Sequence, residues 1–163
     1  MRTGHSIVRE GVIAGVLGAT AVAVWFFVVD LIGGRPLFTP NTLGEGLLSI
    51  FGRSPEARAV NIIAYTIFHY AAFILVGLIA VVLVHTGERI PSVLAGSMIL
   101  LVAIELGFYG LVALLQETVL GNFAWYQILA GNLLAAILMG TYLWRSHPAM
   151  RDGLVRALEG TAD

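Results

Sequence analysis

Cysteine and lysine are both missing from this chain, and charge of either sign is scarce, at 12% of 163 residues. Without cysteine there is no disulfide, thiolate metal site or thiol nucleophile, and the redox compartment is not legible. Without lysine there is no Schiff-base chemistry. All nine cationic side chains are arginines, the formal net charge is −1, and no basic face is available for nucleic acid. The motif-level absences narrow the reading further. No Glu-x-x-His occurs, which argues against a carboxylate-bridged dimetal centre, and no second histidine is placed mid-span to share a haem with His69. The glycines lie inside apolar runs or end them, so none forms a phosphate-binding loop, and Thr66 and Ser97 read as packing hydroxyls rather than nucleophiles.

What fills the chain instead is apolar: 58% hydrophobic residues and a mean hydropathy of +0.90. Soluble domains carry about a quarter charged residues, so this composition belongs to an integral membrane protein. Four runs are long enough to span a bilayer. The first, residues 7–32, outlasts the apolar core of a signal peptide and reads as a retained helix, with Ser6 as N-cap and Gly33-Gly34 and Pro36 as its stop. Along it Gly11, Gly15, Ala19 and Ala23 recur every four residues, a groove of small residues expected to pack against another helix of the same chain. Trp25, Phe26 and Phe27 fall toward its far interface, and Asp30, five residues before Arg35, is expected to form a hydrated ion pair.

The first loop contains Thr42-x-x-Glu45, the form of a capping box, ahead of a short helix predicted over 43–51 and lying on the membrane surface. Ser54-Pro55-Glu56 predicts the start of the second span, 55–84, on which Asn61, Tyr65 and His69 form a polar stripe at four-residue spacing. Pro91 opens the third, 91–116, carrying Glu105 and, one turn on, Tyr109. The fourth covers 123–144 between Trp125-Tyr126 and Tyr142-Trp144, and a tail helix over 148–159 is expected to lie on the bilayer. The predicted fold is all-α, a single domain over 1–163: a polytopic membrane four-helix bundle of up-down topology, with short interfacial helices in the first loop and carboxyl tail.

A glycine-zippered first helix ending in aromatic residues and Asp-Leu-Ile, followed by Arg35-Pro36-Leu37-Phe38-Thr39-Pro40 and Leu43-Gly44, resembles a group of small uncharacterised bacterial four-helix membrane proteins. The resemblance covers about the first quarter of the chain. It implies a bacterial inner membrane and supplies no activity. Six of the nine arginines fall on the side of the two termini and second loop, so the positive-inside rule predicts cytoplasmic termini.

Centring each helix in the bilayer puts Thr20, His69, Glu105 and Asn132 at similar depth, with Tyr65 and Tyr109 beside them. Glu105 is the only charge within its span and is expected to join this buried polar layer. Three functions compete. The leading expectation is a non-enzymatic accessory subunit or homo-oligomeric component of a membrane complex, with the lipid bilayer and another membrane protein or a second copy as partners. The alternatives are a proton-coupled transporter or ion-conducting unit centred on Glu105 and His69, and a pigment-, haem- or quinone-binding subunit with His69 as candidate ligand. No cofactor is strongly implied. His5, His85 and His147 share the cytoplasmic side, but their scattered positions read as solvated histidines, and no metal site is assigned.

Overall fold

The computed structural model describes residues 7–53, 57–87 and 125–148. The polar-layer residues Glu105 and Tyr109, the whole span 91–116, His5, the Ser54-Pro55-Glu56 start signal and all of the tail helix past residue 148 lie outside them. The described residues form four helices: α1 Ile7–Ile32, α2 Phe38–Ile50, α3 Arg58–Gly87 and α4 Trp125–Ser146. Three of them, α1, α3 and α4, are long and apolar enough to cross a membrane.

Helix α1 ends as its sequence dictates. Gly34 adopts a left-handed conformation (φ 68°), Gly34 N–H bonds Leu31 O and Arg35 N–H bonds Asp30 O, the paired bonds of a Schellman motif. Helix α2 ends in the same way, with Gly52 at φ 71° and Arg53 N–H on Leu48 O.

The small residues of α1 decide how the long helices meet. A Cβ placed on Gly15 would fall 2.5 Å from the Ile74 Cα, and one on Gly11 2.7 Å from the Leu78 Cα, so bare backbone is needed on this face. Gly77 answers from α3, where a Cβ would strike Gly11 O and Gly15 N. Gly18, the next glycine on α1, lies between Met139 of α4 and Phe73 of α3. Partner numbers fall as α1 numbers rise, from Leu78 at Gly11 to Ile74 at Gly15 on α3 and from Met139 at Gly18 to Gly131 at Trp25 on α4, so both run antiparallel to it. Among the described residues the core is built on Ala14, Val81, Val84, Met139 and Leu143. Leu17, Val24, Val28 and Leu31 point outward, the pattern of helices whose outer surface meets lipid rather than water.

The first loop departs from expectation. Helix α2 begins at Phe38, five residues before the predicted 43, so Thr42 is an interior residue and the capping box does not form. Leu37 occupies the cap position at φ 61° without a side-chain cap bond. Asp30 does the capping from the end of α1: its carboxylate accepts from Thr39 N–H and Thr39 Oγ1, each at 2.8 Å. A carboxylate at a helix N-terminus satisfies a donor left open there and meets the positive end of the dipole. Asp30 is therefore buried and not a hydrated partner of Arg35, whose guanidinium instead stacks 4.1 Å from the Phe38 ring centre. Helix α2 packs on the start of α3, where Gly44 meets the Asn61 backbone and Asn61 Nδ2 donates to Asn41 Oδ1 at 3.3 Å.

Helix α3 starts at Arg58 and continues to Gly87, three residues past the predicted end. No glycine or proline lies between Val84 and Gly87, and Thr86 folds its hydroxyl back onto Val82 O at 2.8 Å. His85 is thus held in the last turn of the helix. Helix α4 runs to Ser146, with His147 N–H still bonded to Leu143 O, so His147 is held at the end of the last turn.

Candidate metal centre

Three helix ends converge where α1 begins. Glu10, in the first turn of α1, meets His85 from the last turn of α3 and His147 from the end of α4. His147 Nε2 donates to Glu10 Oε2 at 3.1 Å, and His85 Nε2 lies 3.5 Å from the same oxygen. The two imidazoles meet edge to face, with centres 4.8 Å apart and planes at 86°. One donor atom from each of the three residues can be chosen so that all lie within 4.8 Å of one another.

The antiparallel packing explains the convergence. Side chains on a helix lean toward its N-terminus, so Glu10 leans outward along α1 while His85 and His147 lean back into the bundle. The Gly11–Gly77 contact beside them sets the spacing of α1 and α3. Two helix C-termini carrying partial negative charge and the α1 N-terminus carrying partial positive charge meet at the carboxylate, leaving a small net field that favours a cation. The site is enclosed unevenly: the Glu10 and His147 side chains are 3% and 7% exposed, whereas His85 is 35% exposed. The His85 Nε2 atom itself is buried and makes no hydrogen bond.

Two imidazoles and a carboxylate form a recurrent ligand set for borderline divalent ions such as Zn2+ and Fe2+. Metal bonds of about 2.05 Å at tetrahedral angles separate neighbouring donor atoms by roughly 3.3 Å. The observed separations of 3.1 and 3.5 Å bracket that value.

Of the predicted buried polar layer, His69 is buried, Tyr65 is half-buried and Thr20 is exposed. Thr20 and His69 do share a depth, but they do not bond each other. Thr20 Oγ1 shares a hydrogen bond with Tyr70 OH at 3.1 Å, and His69 Nε2–H donates to Ala19 O at 3.0 Å. His69 is packed among Tyr65, Tyr70 and Phe73, the Tyr65 ring stacking on it at 5.5 Å between centres. Asn132 is half-buried on α4. A cavity of about 140 Å³ lies beside His69, lined by Val22, Phe26, Leu37 and Tyr65 among others. Of the small-residue groove, Gly11, Gly15 and Ala19 are buried, while Ala23 is exposed along this cavity.

Sequence reasoning placed His85 and His147 on one side of the membrane but passed over Glu10. The signal was present: a carboxylate within the first turn of a span, on the arginine-rich side, level with histidines ending two spans of opposite direction. What sequence alone could not supply was the rotation of each helix about its axis, which decides whether three such residues meet. His147, read as solvated, is buried. Comparison of the chain with family models, with curated proteins and with solved structures gives no match, so the site is interpreted from its own geometry.

Proposed function

We propose that this chain is a small integral membrane component that holds a divalent transition-metal ion at Glu10, His85 and His147. The observation that carries the reading is the convergence of two imidazoles on one buried carboxylate oxygen, at 3.1 and 3.5 Å. In this reading the span 91–116 completes an up-down four-helix bundle, and the excess of arginine places both termini and the metal centre on the cytoplasmic side of a bacterial inner membrane. With α1 centred in the bilayer, Glu10 lies ten residues from Thr20, about 15 Å, which is half of a hydrocarbon core about 30 Å thick. The centre then sits at the boundary where ions arrive from water. The small extramembrane mass fits a non-enzymatic accessory role, with the ion delivered to or shared with a membrane partner or a second copy.

The test is metal uptake by chelator-stripped protein in mild detergent, titrated with Zn2+ and followed by calorimetry. Wild type binds one ion per chain; Glu10→Gln and His147→Ala each weaken binding by about 100-fold or more, exceeding the 10–100-fold typical for loss of a residue that merely orients a ligand. Equal, weak uptake by all three proteins would show that the cluster is an ordinary hydrogen-bonded pair with a bystander histidine.

A further inference from the structure

Away from the Glu10 cluster, the second half of α1, the first half of α3 and the start of α2 enclose the cavity of about 140 Å³ beside His69. An apolar cavity of about 150 Å³ holds one benzene molecule, so this one fits a single ring and little more. Its walls suit such a guest. Phe26, Phe27, Tyr65 and Tyr70 line it with aromatic faces and edges, and its described lining includes no Asp, Glu or Arg. An ion would find no countercharge there, so the guest that fits is neutral.

Most polar side chains of the lining are committed elsewhere. Thr39 Oγ1 donates to Asp30, Thr66 Oγ1 donates to Ile62 O, and the Tyr70 hydroxyl shares its bond with Thr20. His69 Nε2 is paired with Ala19 O; a carbonyl only accepts, so Nε2 carries the proton and the neutral ring has a lone pair at Nδ1. Among the described residues neither His69 Nδ1 nor the Tyr65 hydroxyl has a hydrogen-bond partner, although His69 is only 8% exposed and Tyr65 is half-buried. The two residues stand one turn apart on α3 with their rings stacked, so an acceptor and a hydroxyl are offered from one face of the helix. A phenolic hydroxyl answers both: its O–H donates to Nδ1 and its oxygen accepts from Tyr65. Phe27 and Leu37, 43% and 39% exposed, lie on the open side of the cavity, where a guest dissolved in the bilayer arrives.

We infer that the cavity between α1, α2 and α3 binds a neutral single-ring phenol from the membrane, with the hydroxyl held between His69 Nδ1 and the Tyr65 hydroxyl and the ring among Phe26, Phe27 and Tyr70. The site is separate from the metal centre and does not depend on it. Its recognition chemistry is shared by free phenols and by the phenolic heads of tailed lipids, whose tails would leave through the open side.

The probe is 4-fluorophenol, observed by fluorine NMR as it is titrated with metal-free full chain in mild detergent. The expected result is a saturable broadening of its line beyond that in protein-free micelles. Binding of 4-fluoroanisole, the same ring with its hydroxyl methylated, should be about tenfold weaker, because the donor to His69 is gone and its acceptor stays unpaired. Tyr65→Phe keeps the ring and should weaken 4-fluorophenol by about fivefold. Ala23→Leu fills the cavity from α1 and Ile62→Phe fills it from α3, and each should abolish the broadening. Displacement by 4-octylphenol as well as by phenol supports the inference with a tailed lipid as source, and displacement by phenol alone supports it with a free phenol. Wild type that broadens the line no more than empty micelles overturns the inference and leaves the metal-binding reading untouched. Equal affinity for 4-fluorophenol and 4-fluoroanisole, or undiminished broadening in either filling variant, also overturns it.

Discussion

The two ends of α1 each bury a carboxylate, and they solve the same physical problem with different chemistry. Asp30 is held by a backbone N–H and a hydroxyl of Thr39, nine residues along the chain, donors that bring no nitrogen ligand for a transition metal and that cap the next helix. Glu10 is held by ring nitrogens brought from the ends of two other helices, groups that can exchange a proton for a metal ion. A buried carboxylate is therefore uninformative by itself. Its partners decide whether it fastens the fold or offers a site.

Stability measurements in metal-free and Zn2+-loaded protein put the widest gap between the two ends. An ion that binds only the folded state adds about 2.7 kcal/mol at a free concentration 100 times its dissociation constant. Thermal unfolding in detergent should show that gain in wild type and in Asp30→Ala, but not in Glu10→Gln. Without metal the order reverses. Asp30→Ala strands the Thr39 donors and loses a charge-assisted cap, about 1.5–3 kcal/mol, whereas the isosteric Glu10→Gln keeps an acceptor for His147 and costs less than about 1 kcal/mol. Equal responses of the two variants to Zn2+ would erase the distinction.

The helix spacing next to Glu10 offers a narrower test. A methyl on Gly77 runs into the backbone of Gly11 and Gly15, which cannot yield as a flexible side chain would. Gly77→Ala should cost about 1–3 kcal/mol by overpacking and, by moving α3 off α1, lower Zn2+ affinity as well. Gly44→Ala crowds the Asn61 backbone at the opposite end and should destabilise the fold while leaving Zn2+ affinity within about twofold, as expected of distant sites. Calorimetric Zn2+ titration of the two variants separates these outcomes, and similar affinities in both would detach the metal centre from the glycine contact.

These contrasts also mark what was legible in the sequence. Periodicity and length revealed α1, α3 and α4 as membrane-length helices, because an apolar run of that length has few other ways to satisfy its backbone. Of the small residues at four-residue spacing on α1, Gly11 and Gly15 meet the backbone of α3, whereas Ala23 is exposed. The register of α2 was hidden, because its cap comes from Asp30 across a turn rather than from Thr42 within the helix. The Glu10 cluster was hidden more deeply: its three members have no common spacing, and only the assembled bundle fixes their rotation. Longitudinal position follows from counting residues; azimuth does not.

The polar group at mid-span provides the smallest and most local test of the same lesson. Thr20 and Tyr70 share one hydrogen bond between α1 and α3, at 3.1 Å, in the part of the bundle farthest from either buried carboxylate. Interhelical hydrogen bonds within membranes average about 0.6 kcal/mol, because the separated helices also find partners. Thr20→Val keeps the branched shape and removes the hydroxyl, so the expected loss is of that size, measurable as a small decrease in thermal stability. Zn2+ affinity should be unchanged, since Glu10 lies nearly three turns away along α1. A loss above about 1.7 kcal/mol, the upper end for such bonds, would mean that the mid-span pair supports a wider polar network. A loss of Zn2+ affinity would instead mean that the ends of the helices respond to their middle, and that the separation between fastening and binding carboxylates is not as complete as their partners suggest.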